Sequence, residues 1–334
     1  MANETLIKKV LSISPIVEVL IRVIYYSNIS FLKKYAYIYR INPYHKLSKK
    51  NKKIKKNKKI NIINIKKIFK FLEDNHIKKG DLIIVHSSFK NIQESGLNPN
   101  QVIDLLLELI GEEGTLAMSA RPNFDLDLDN FMTSQQDESI YFYDPDITQS
   151  NTGILAKELL KRNGSIRSEH PVNSLVAIGP LAKKIMKNNL IDNDSLPHGV
   201  NSSWHNCILN KAKILAIGVD LVQSSTITKT VEDVFSNNWP VNNWYVKKNY
   251  IIKSNKVEKK YCLRERAHKW SLHYAERTMC KDFIKKNILF CYKFDGLSVE
   301  IAKSNDMFNF LSKKRNKAYP YFFTYLNLLK FVKK

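Results

Sequence analysis

The feature that most constrains this fold is a regular alternation of short apolar runs with helix-periodic segments. The strand-type runs occupy 82–85, 115–118, 175–178 and 214–217, and the helical patterns occupy 65–75, 99–110, 154–162 and 227–235. Asn98 before Pro99 is typical of a helix start. An Asn side chain can cap the first turn, and proline is well tolerated at the first helical position because that position needs no N–H donor. Strands that alternate with helices predict an α/β fold with a central mixed, largely parallel sheet flanked by helices.

The positive charge lies at the two ends of the chain. Residues 1–80 hold 20 Lys and Arg against 4 Asp and Glu, residues 301–334 hold 8 against 1, and residues 81–300 hold 26 of each. Residues 46–59 contain nine lysines and little to bury, which is typical of a solvated linker. We therefore predict a basic extension over 1–60, a folded domain over 61–325 and a basic tail over 326–334.

The apolar run at 10–26 is interrupted by Pro15 and carries Glu18 and Arg22, so it suits neither a spanning helix nor a signal peptide. Two alternatives remain. It forms an interfacial helix that, with the basic residues of 1–60, contacts an anionic membrane, or it packs on the domain or on a partner chain. We expect a cytoplasmic protein, peripheral at the inner face of the membrane under the first alternative. Low-complexity lysine sequence argues against specific nucleic-acid recognition.

Four cysteines, none in a C-x-x-C spacing, argue against a zinc knuckle and against a disulfide framework. They are typical of small buried apolar residues in a reducing compartment. Glycine-rich phosphate loops and the G-x-S-x-G elbow are absent from the sequence.

Polar residues gather after the predicted strands, where open α/β sheets place their ligands. The groups are His86-Ser87-Ser88, Tyr143-Asp144-Pro145, Arg167-Ser168-Glu169-His170-Pro171, Pro197-His198-Gly199 and Ser225-Thr226, the last leading to Lys229 and Glu232. Taken singly, each group is more typical of turns, caps or packed histidines than of a ligand site.

Taken in order, these segments resemble the aminoglycoside 3-N-acetyltransferase family over roughly residues 61–325. The resemblance lies in V-H-S-S-F, G-E-E-G-T-L-A-M, F-Y-D-P, R-S-E-H-P-V-N-S, P-H-G-V-N-S-S and K-I-L-A-I-G-V. The R-S-x-H-P-x-x-S pattern is the most specific of them. The resemblance implies acetyl-CoA as co-substrate, no metal, and acylation of an amine on a sugar-like acceptor. It leaves the oligomeric state open.

The resemblance also implies roles for individual residues. His170 is the expected general base, Glu232 the carboxylate beside it, and Thr226 an oxyanion donor. The expected acetyl-CoA contacts are Ser87, Ser88, Arg167, Ser168 and Ser225, and the expected acceptor contacts are Tyr143, Asp144 and Lys229. For Arg167 and Ser168 a loop-bracing role is the alternative.

The sequence departs from the family where a histidine usually stands three residues before the glutamate, because Lys229 occupies that position. A lysine suits an acidic acceptor, so we expect an anionic or nucleotide-linked amino sugar used in surface polysaccharide biosynthesis. The alternatives are an aminoglycoside acetyltransferase that confers antibiotic resistance, and a non-catalytic relative that binds membrane or nucleic acid. A plain surface ion pair between Lys229 and Glu232 is the structural alternative for that pair.

Overall fold

The structure, a computed structural model, describes residues 13–24, 64–124, 139–221, 226–254, 257–315 and 321–322. The helices are α1 (Ile65–Asn75), α2 (Phe89–Ile92), α3 (Pro99–Ile110), α4 (Ile154–Leu160), α5 (Ala182–Met186), α6 (Ser203–Leu209), α7 (Ile227–Val234), α8 (Glu276–Lys285) and α9 (Ser304–Lys314). The strands are β1 (Leu82–Ser87), β2 (Thr115–Ser119), β3 (Ile140–Tyr143), β4 (Ile166–Arg167), β5 (Leu175–Ile178), β6 (Lys213–Ile217), β7 (Tyr245–Ser254), β8 (Val257–Arg266), β9 (Leu289–Phe294) and β10 (Leu297–Lys303).

Seven strands form the central sheet in the order β4-β5-β2-β1-β6-β10-β9. Strand β1 pairs in parallel with β2 on one side and β6 on the other. The four outer pairs are antiparallel. The predicted mixed α/β architecture is confirmed. Its parallel part is confined to the three central strands β2, β1 and β6. The outer strands continue the sheet on each side in antiparallel pairs, β5 and β4 beyond β2 and β10 and β9 beyond β6. A second sheet joins β3, β7 and β8.

Helices cover both faces of the central sheet, which explains why the first four residues of β1, Leu82 to Val85, are apolar and buried on both faces. Ile83 and Val85 face the core that α1, α3 and α4 complete. Leu82 and Ile84 face the opposite core, built with α5 and α6. The predicted cap of α3 is present. The Asn98 side chain accepts a hydrogen bond from the Gln101 backbone amide, and the Gln101 side chain accepts one from the Asn98 backbone amide.

Residues 15–24 are helical and pack against the C-terminal part of the domain. Val19 is fully buried in a core with Tyr274 and Met279, and Glu18 is only 1% exposed. The packed alternative therefore describes this segment, and the domain extends beyond the predicted start at residue 61. The Lys-rich run at 46–59 and the tail at 326–334 lie outside the described residues.

No helix within the described ranges is long and apolar enough to span a membrane. Of the four cysteines, Cys207 and Cys280 are buried as predicted, whereas Cys291 is exposed and Cys262 is half-buried. All four are free thiols.

Candidate active site

The carboxyl ends of the parallel strands β1 and β6 meet at one edge of the sheet, and the predicted H-S-S group lies there. The Ser88 amide donates to the Ile217 carbonyl at 3.0 Å, which ties the turn after β1 to the end of β6. Asn91 donates to the Gly218 carbonyl at 2.6 Å. Gly218 has φ +71°, and a side chain there would lie 2.9 Å from the Asn91 Cβ, so only glycine suits this approach. Ser87 and Ser88 are half-buried at this edge.

Helix α7 contributes Glu232, which is completely buried. Both of its carboxylate oxygens lie near the Arg266 guanidinium, at 3.2 and 3.4 Å, and the Tyr274 hydroxyl donates to one of them. Burial raises the pKa of Glu232 to about 7, while Arg266 and Tyr274 act in the opposite direction. Glu232 is therefore an enclosed carboxylate whose ionisation depends on these two neighbours.

The next residue of α7, Asp233, holds a buried histidine. The Asp233 carboxylate accepts from the His198 backbone amide at 3.1 Å, lies 3.2 Å from His198 Nδ1 and accepts from the Tyr245 hydroxyl at 3.0 Å. A proton on Nδ1 makes this contact a hydrogen bond and leaves Nε2 as an acceptor. In the described part of the chain the buried Nε2 has no hydrogen-bond partner.

The environment of this pair keeps the imidazole neutral at pH 7. Burial lowers the pKa of His198 well below its ordinary value, and the charges of Lys229 and Arg266 lower it further. Burial raises the pKa of Asp233 to about 6, so the carboxylate is ionised above that pH. A neutral imidazole held by a carboxylate, with its second ring nitrogen unpaired among the described residues, has the lone pair that a general base uses, although burial lowers its affinity for the proton.

Lys229 lies one turn before this pair on α7 and is half-buried. Burial, followed by the charge of Arg266, lowers its pKa to about 8. Among the described residues, Glu232 forms its ion pair with Arg266 at 3.2 Å and not with Lys229, so the expected surface ion pair is not found. Thr226 stands at the start of α7, half-buried, and its hydroxyl does not cap the helix. Ser225 lies outside the described residues.

The two ring nitrogens of His170, the predicted base, both contact the backbone. Its Nδ1 accepts from the Val172 amide at 3.2 Å, which places the ring proton on Nε2, and Nε2 lies 3.1 Å from the Ser195 carbonyl. The ring is buried, and burial lowers its pKa to about 4. The His-Pro turn folds the imidazole back onto its own loop. Both ring nitrogens of His170 are engaged by the backbone, which favours a role in bracing its loop, and its role as the base stays a prediction.

Arg167 braces loops, which was the alternative for this residue. Its guanidinium donates to the backbone carbonyls of Ala120 and Thr148 and to the Ser174 hydroxyl, the last at 3.3 Å. It also lies 5.2 Å from the centre of the Tyr143 ring. These contacts join the ends of β2, β4 and β5. They occupy the guanidinium N–H groups of Arg167 that would have to bind the coenzyme.

Three more predicted contact residues lie inside the same network. The Tyr143 hydroxyl donates to the Ser168 carbonyl at 2.7 Å, and the Ser168 hydroxyl accepts from the Leu175 amide at 3.1 Å. Asp144 is buried and accepts from the Asp146 amide at 2.9 Å. These contacts favour a structural role for the three residues, and the predicted contacts of Tyr143 and Asp144 with acceptor and of Ser168 with coenzyme stay predictions.

Sequence reasoning missed His198, Asp233, Arg266 and Tyr274 as site residues. A signal existed for the first two, since the Pro-His-Gly group and the paired acids at 232–233 are visible in the sequence. Arg266 and Tyr274 reach Glu232 from the far end of the β7–β8 hairpin and from the turn before α8. No local pattern indicates such a long-range contact.

Comparison with known proteins assigns the fold to a class. The chain has a TM-score of 0.62 with the crystal structure of aminoglycoside acetyltransferase AAC(3)-Xa, at 19% identity, covering 74% of this chain and 90% of that one. It has a TM-score of 0.61 with AAC-IIIb solved with CoASH, at 15% identity, covering 76% and 96%. It has a TM-score of 0.60 with AAC-VIa bound to sisomicin, at 16% identity, covering 76% and 97%. At these identities the likeness shows an acetyltransferase fold.

The sequence assigns the family. Residues 84–314, more than half of the chain, match the family described as aminoglycoside 3-N-acetyltransferase. The chain therefore belongs to the aminoglycoside 3-N-acetyltransferase family. It is 30% identical over 157 residues to aminoglycoside N(3)-acetyltransferase IX of Micromonospora chalcea, covering 45% of this chain and 55% of that protein. It is 27% identical over 149 residues to aminoglycoside N(3)-acetyltransferase VII of Streptomyces paromomycinus, covering 42% and 51%. The chain thus spans about half the length of these relatives.

Proposed function

We propose that the chain is an acetyl-CoA-dependent N-acetyltransferase that acylates an amine of an aminoglycoside-type amino sugar. The observation that carries the proposal is the His198–Asp233 pair, a buried imidazole held by a carboxylate. The centre of the Trp204 ring lies 6.2 Å from that of His198 and 6.4 Å from that of His86, which follows the apolar run of β1. Membership of the family supports the reaction class. AAC-IIIb, which shares the fold, was solved with CoASH, and AAC-VIa was solved with sisomicin.

The amine must lose a proton as it attacks the thioester carbonyl, and His198 Nε2 is the atom that we propose receives it. Asp233 fixes the tautomer that leaves this nitrogen unprotonated, and its negative charge stabilises the imidazolium that forms. Thr226, at the start of α7, is the proposed donor to the developing oxyanion. In this proposal His198 is the base, Asp233 orients it, and Thr226 is the hydroxyl donor.

Acetyl-CoA supplies the activated acyl group when bound. Ser87 and Ser88 fit a contact with its arm, since they are half-buried at the sheet edge and the Ser88 side chain does not cap the helix that follows. Arg167 and Ser168 do not fit, because their polar groups are already bound within the protein. We retain the two serines as the proposed coenzyme contacts.

The acceptor is better described as an aminoglycoside than as an acidic sugar of polysaccharide biosynthesis. The relatives and fold neighbours named above are aminoglycoside acetyltransferases, and nothing in them supports the biosynthetic role. Glu232 also offsets the charge of Arg266, which reduces repulsion of a cationic acceptor.

Thiol release from acetyl-CoA tests the proposal. The full chain is assayed with sisomicin, apramycin, a nucleotide-linked amino sugar and no acceptor. We expect the two aminoglycosides to give the higher kcat/KM. A preference for the nucleotide-linked sugar would restore the biosynthetic reading. Coenzyme binding without release for any acceptor would favour the non-catalytic reading.

A further inference from the structure

The N-terminal helical segment, residues 15–24, supplies the cap of a helix that lies about 260 residues later in the chain. Helix α8 starts after Ala275 without a side-chain cap of its own. The buried Glu18 carboxylate accepts from the backbone amides of Arg277 and Thr278, at 2.9 and 3.0 Å, and from the Thr278 hydroxyl at 3.0 Å. A carboxylate at this position satisfies exposed helix amides and complements the helix dipole.

Arg22, one turn after Glu18, extends this contact towards the site. Its guanidinium forms a 2.8 Å ion pair with Glu276 and donates to the backbone carbonyl of Tyr274. The Glu18 carboxylate, one turn earlier on the same segment, lies 4.0 Å from the Arg22 guanidinium. The N-terminal segment therefore fixes both the first turn of α8 and the backbone of the residue just before it.

Tyr274 connects Glu232 with the clamp, by which we mean Glu18 and Arg22 of the N-terminal segment. It is buried, its backbone bridges to Phe322, and its hydroxyl donates to the Glu232 carboxylate. The Arg266 guanidinium, which pairs with Glu232, lies 5.4 Å from the centre of the Tyr274 ring. The backbone of Tyr274 is thus held by Arg22 while its side chain holds Glu232.

We propose that Glu18 and Arg22 are positioning residues which, by fixing Tyr274, hold the Glu232 carboxylate in its ion pair with Arg266. The role rests on the proposed function, since an ionised Glu232 lowers the positive charge that a cationic acceptor meets. It makes the N-terminal segment part of the machinery for acceptor binding. It also explains why a pair of charged residues interrupts an otherwise apolar helix.

The charges that face Glu232 come from three elements. Arg266 approaches from β8, Tyr274 from the turn before α8, and Asp233 and Lys229 from its own helix. Burial opposes ionisation, and Asp233 does the same, whereas Arg266, Tyr274 and Lys229 favour it. A displaced Tyr274 therefore raises the pKa of Glu232 above about 7 and reduces its charge at neutral pH.

The test compares Arg22→Ala, Tyr274→Phe and the double variant in the full chain. Arg162→Ala is the matched control, because Arg162 has similar exposure, 27% against 23%, and a comparable ion pair with Asp104 at 2.6 Å. The readouts are the pH profile of kcat/KM and the separate values of kcat and KM for sisomicin. Urea unfolding is measured on the same four proteins.

We expect Arg22→Ala to move the acid limb upward by on the order of one pH unit and to raise KM at pH 7 about fivefold. Tyr274→Phe should act alike, and the double variant should add little. Arg22→Lys should restore part of the profile, and Arg162→Ala should leave it unchanged. A profile for Arg22→Ala that matches the control, or effects that add in the double variant, would overturn the proposal.

Failure of the proposed function gives a different result. If the unaltered chain transfers no acetyl group to any acceptor, the proposed function fails and the clamp is judged by urea unfolding alone. Non-additive destabilisation by Arg22→Ala and Tyr274→Phe would still support it. Additive destabilisation would refute it.

Discussion

Removal of the N-terminal helical segment should destabilise the whole domain. Val19 is fully buried, so Val19→Ala loses two buried carbon groups and leaves a cavity, at a cost of about 1.5–3 kcal/mol. Glu18→Ala leaves the first amides of α8 without their acceptor, at a further cost of about 2–3 kcal/mol. Deletion of residues 1–60 removes both interactions. The expected loss, about 4–5 kcal/mol, is a large share of the ordinary stability of about 5–15 kcal/mol.

Urea unfolding, followed by tryptophan fluorescence, measures this loss. The matched control is Ile24→Ala on the same segment, because Ile24 is 58% exposed and its truncation should change stability by no more than about 0.5 kcal/mol. If the segment rested on a membrane and not on the domain, Val19→Ala would be as neutral as Ile24→Ala. Equal unfolding midpoints for the full and truncated chains would refute the packing that we describe.

Two further predictions concern single residues of the site. His170→Ala should lower the free energy of unfolding, measured in urea, by about 1–3 kcal/mol through its lost backbone contacts, while the folded protein keeps turnover within about tenfold. A stable but inactive variant would establish His170 as the base. For sisomicin, KM should fall as pH rises through about 8, because Lys229 then loses its charge, and Lys229→Gln should remove that step. An unchanged pH dependence in Lys229→Gln would place this lysine outside the acceptor site.

Local patterns predicted four of the seven strands of the central sheet, namely β1, β2, β5 and β6, and did not predict β4, β9 and β10. The predicted strand at 175–178 coincides with β5, and the predicted helical pattern at 65–75 coincides with α1. These features depend on periodicity and caps, which lie within a few residues of each other in sequence.

The sequence did not predict the contacts that join distant elements. The R-S-x-H-P-x-x-S motif indicated the family, but it does not indicate how the His170 ring is oriented, because that orientation depends on the backbone of a loop about 25 residues away. The N-terminal helix was ambiguous for a similar reason. An apolar stripe with two charges suits a membrane surface or a protein surface equally, and only the position of α8 decides between them.

Acetylation of sisomicin by His198→Gln, with His76→Gln as the matched control, tests the proposal that His198 is the general base of acetyl transfer. His76 is a half-buried histidine that contacts Tyr292 at 2.6 Å, close to the amino end of β1 and therefore at the opposite edge of the sheet. Mass spectrometry should show one acetyl group added to sisomicin by the unaltered chain. We predict that His198→Gln lowers kcat/KM by on the order of 10²–10⁴-fold, with coenzyme affinity retained, while His76→Gln changes it by less than about threefold. Wild-type turnover by folded His198→Gln, or an unmodified sisomicin with the unaltered chain, would contradict the account.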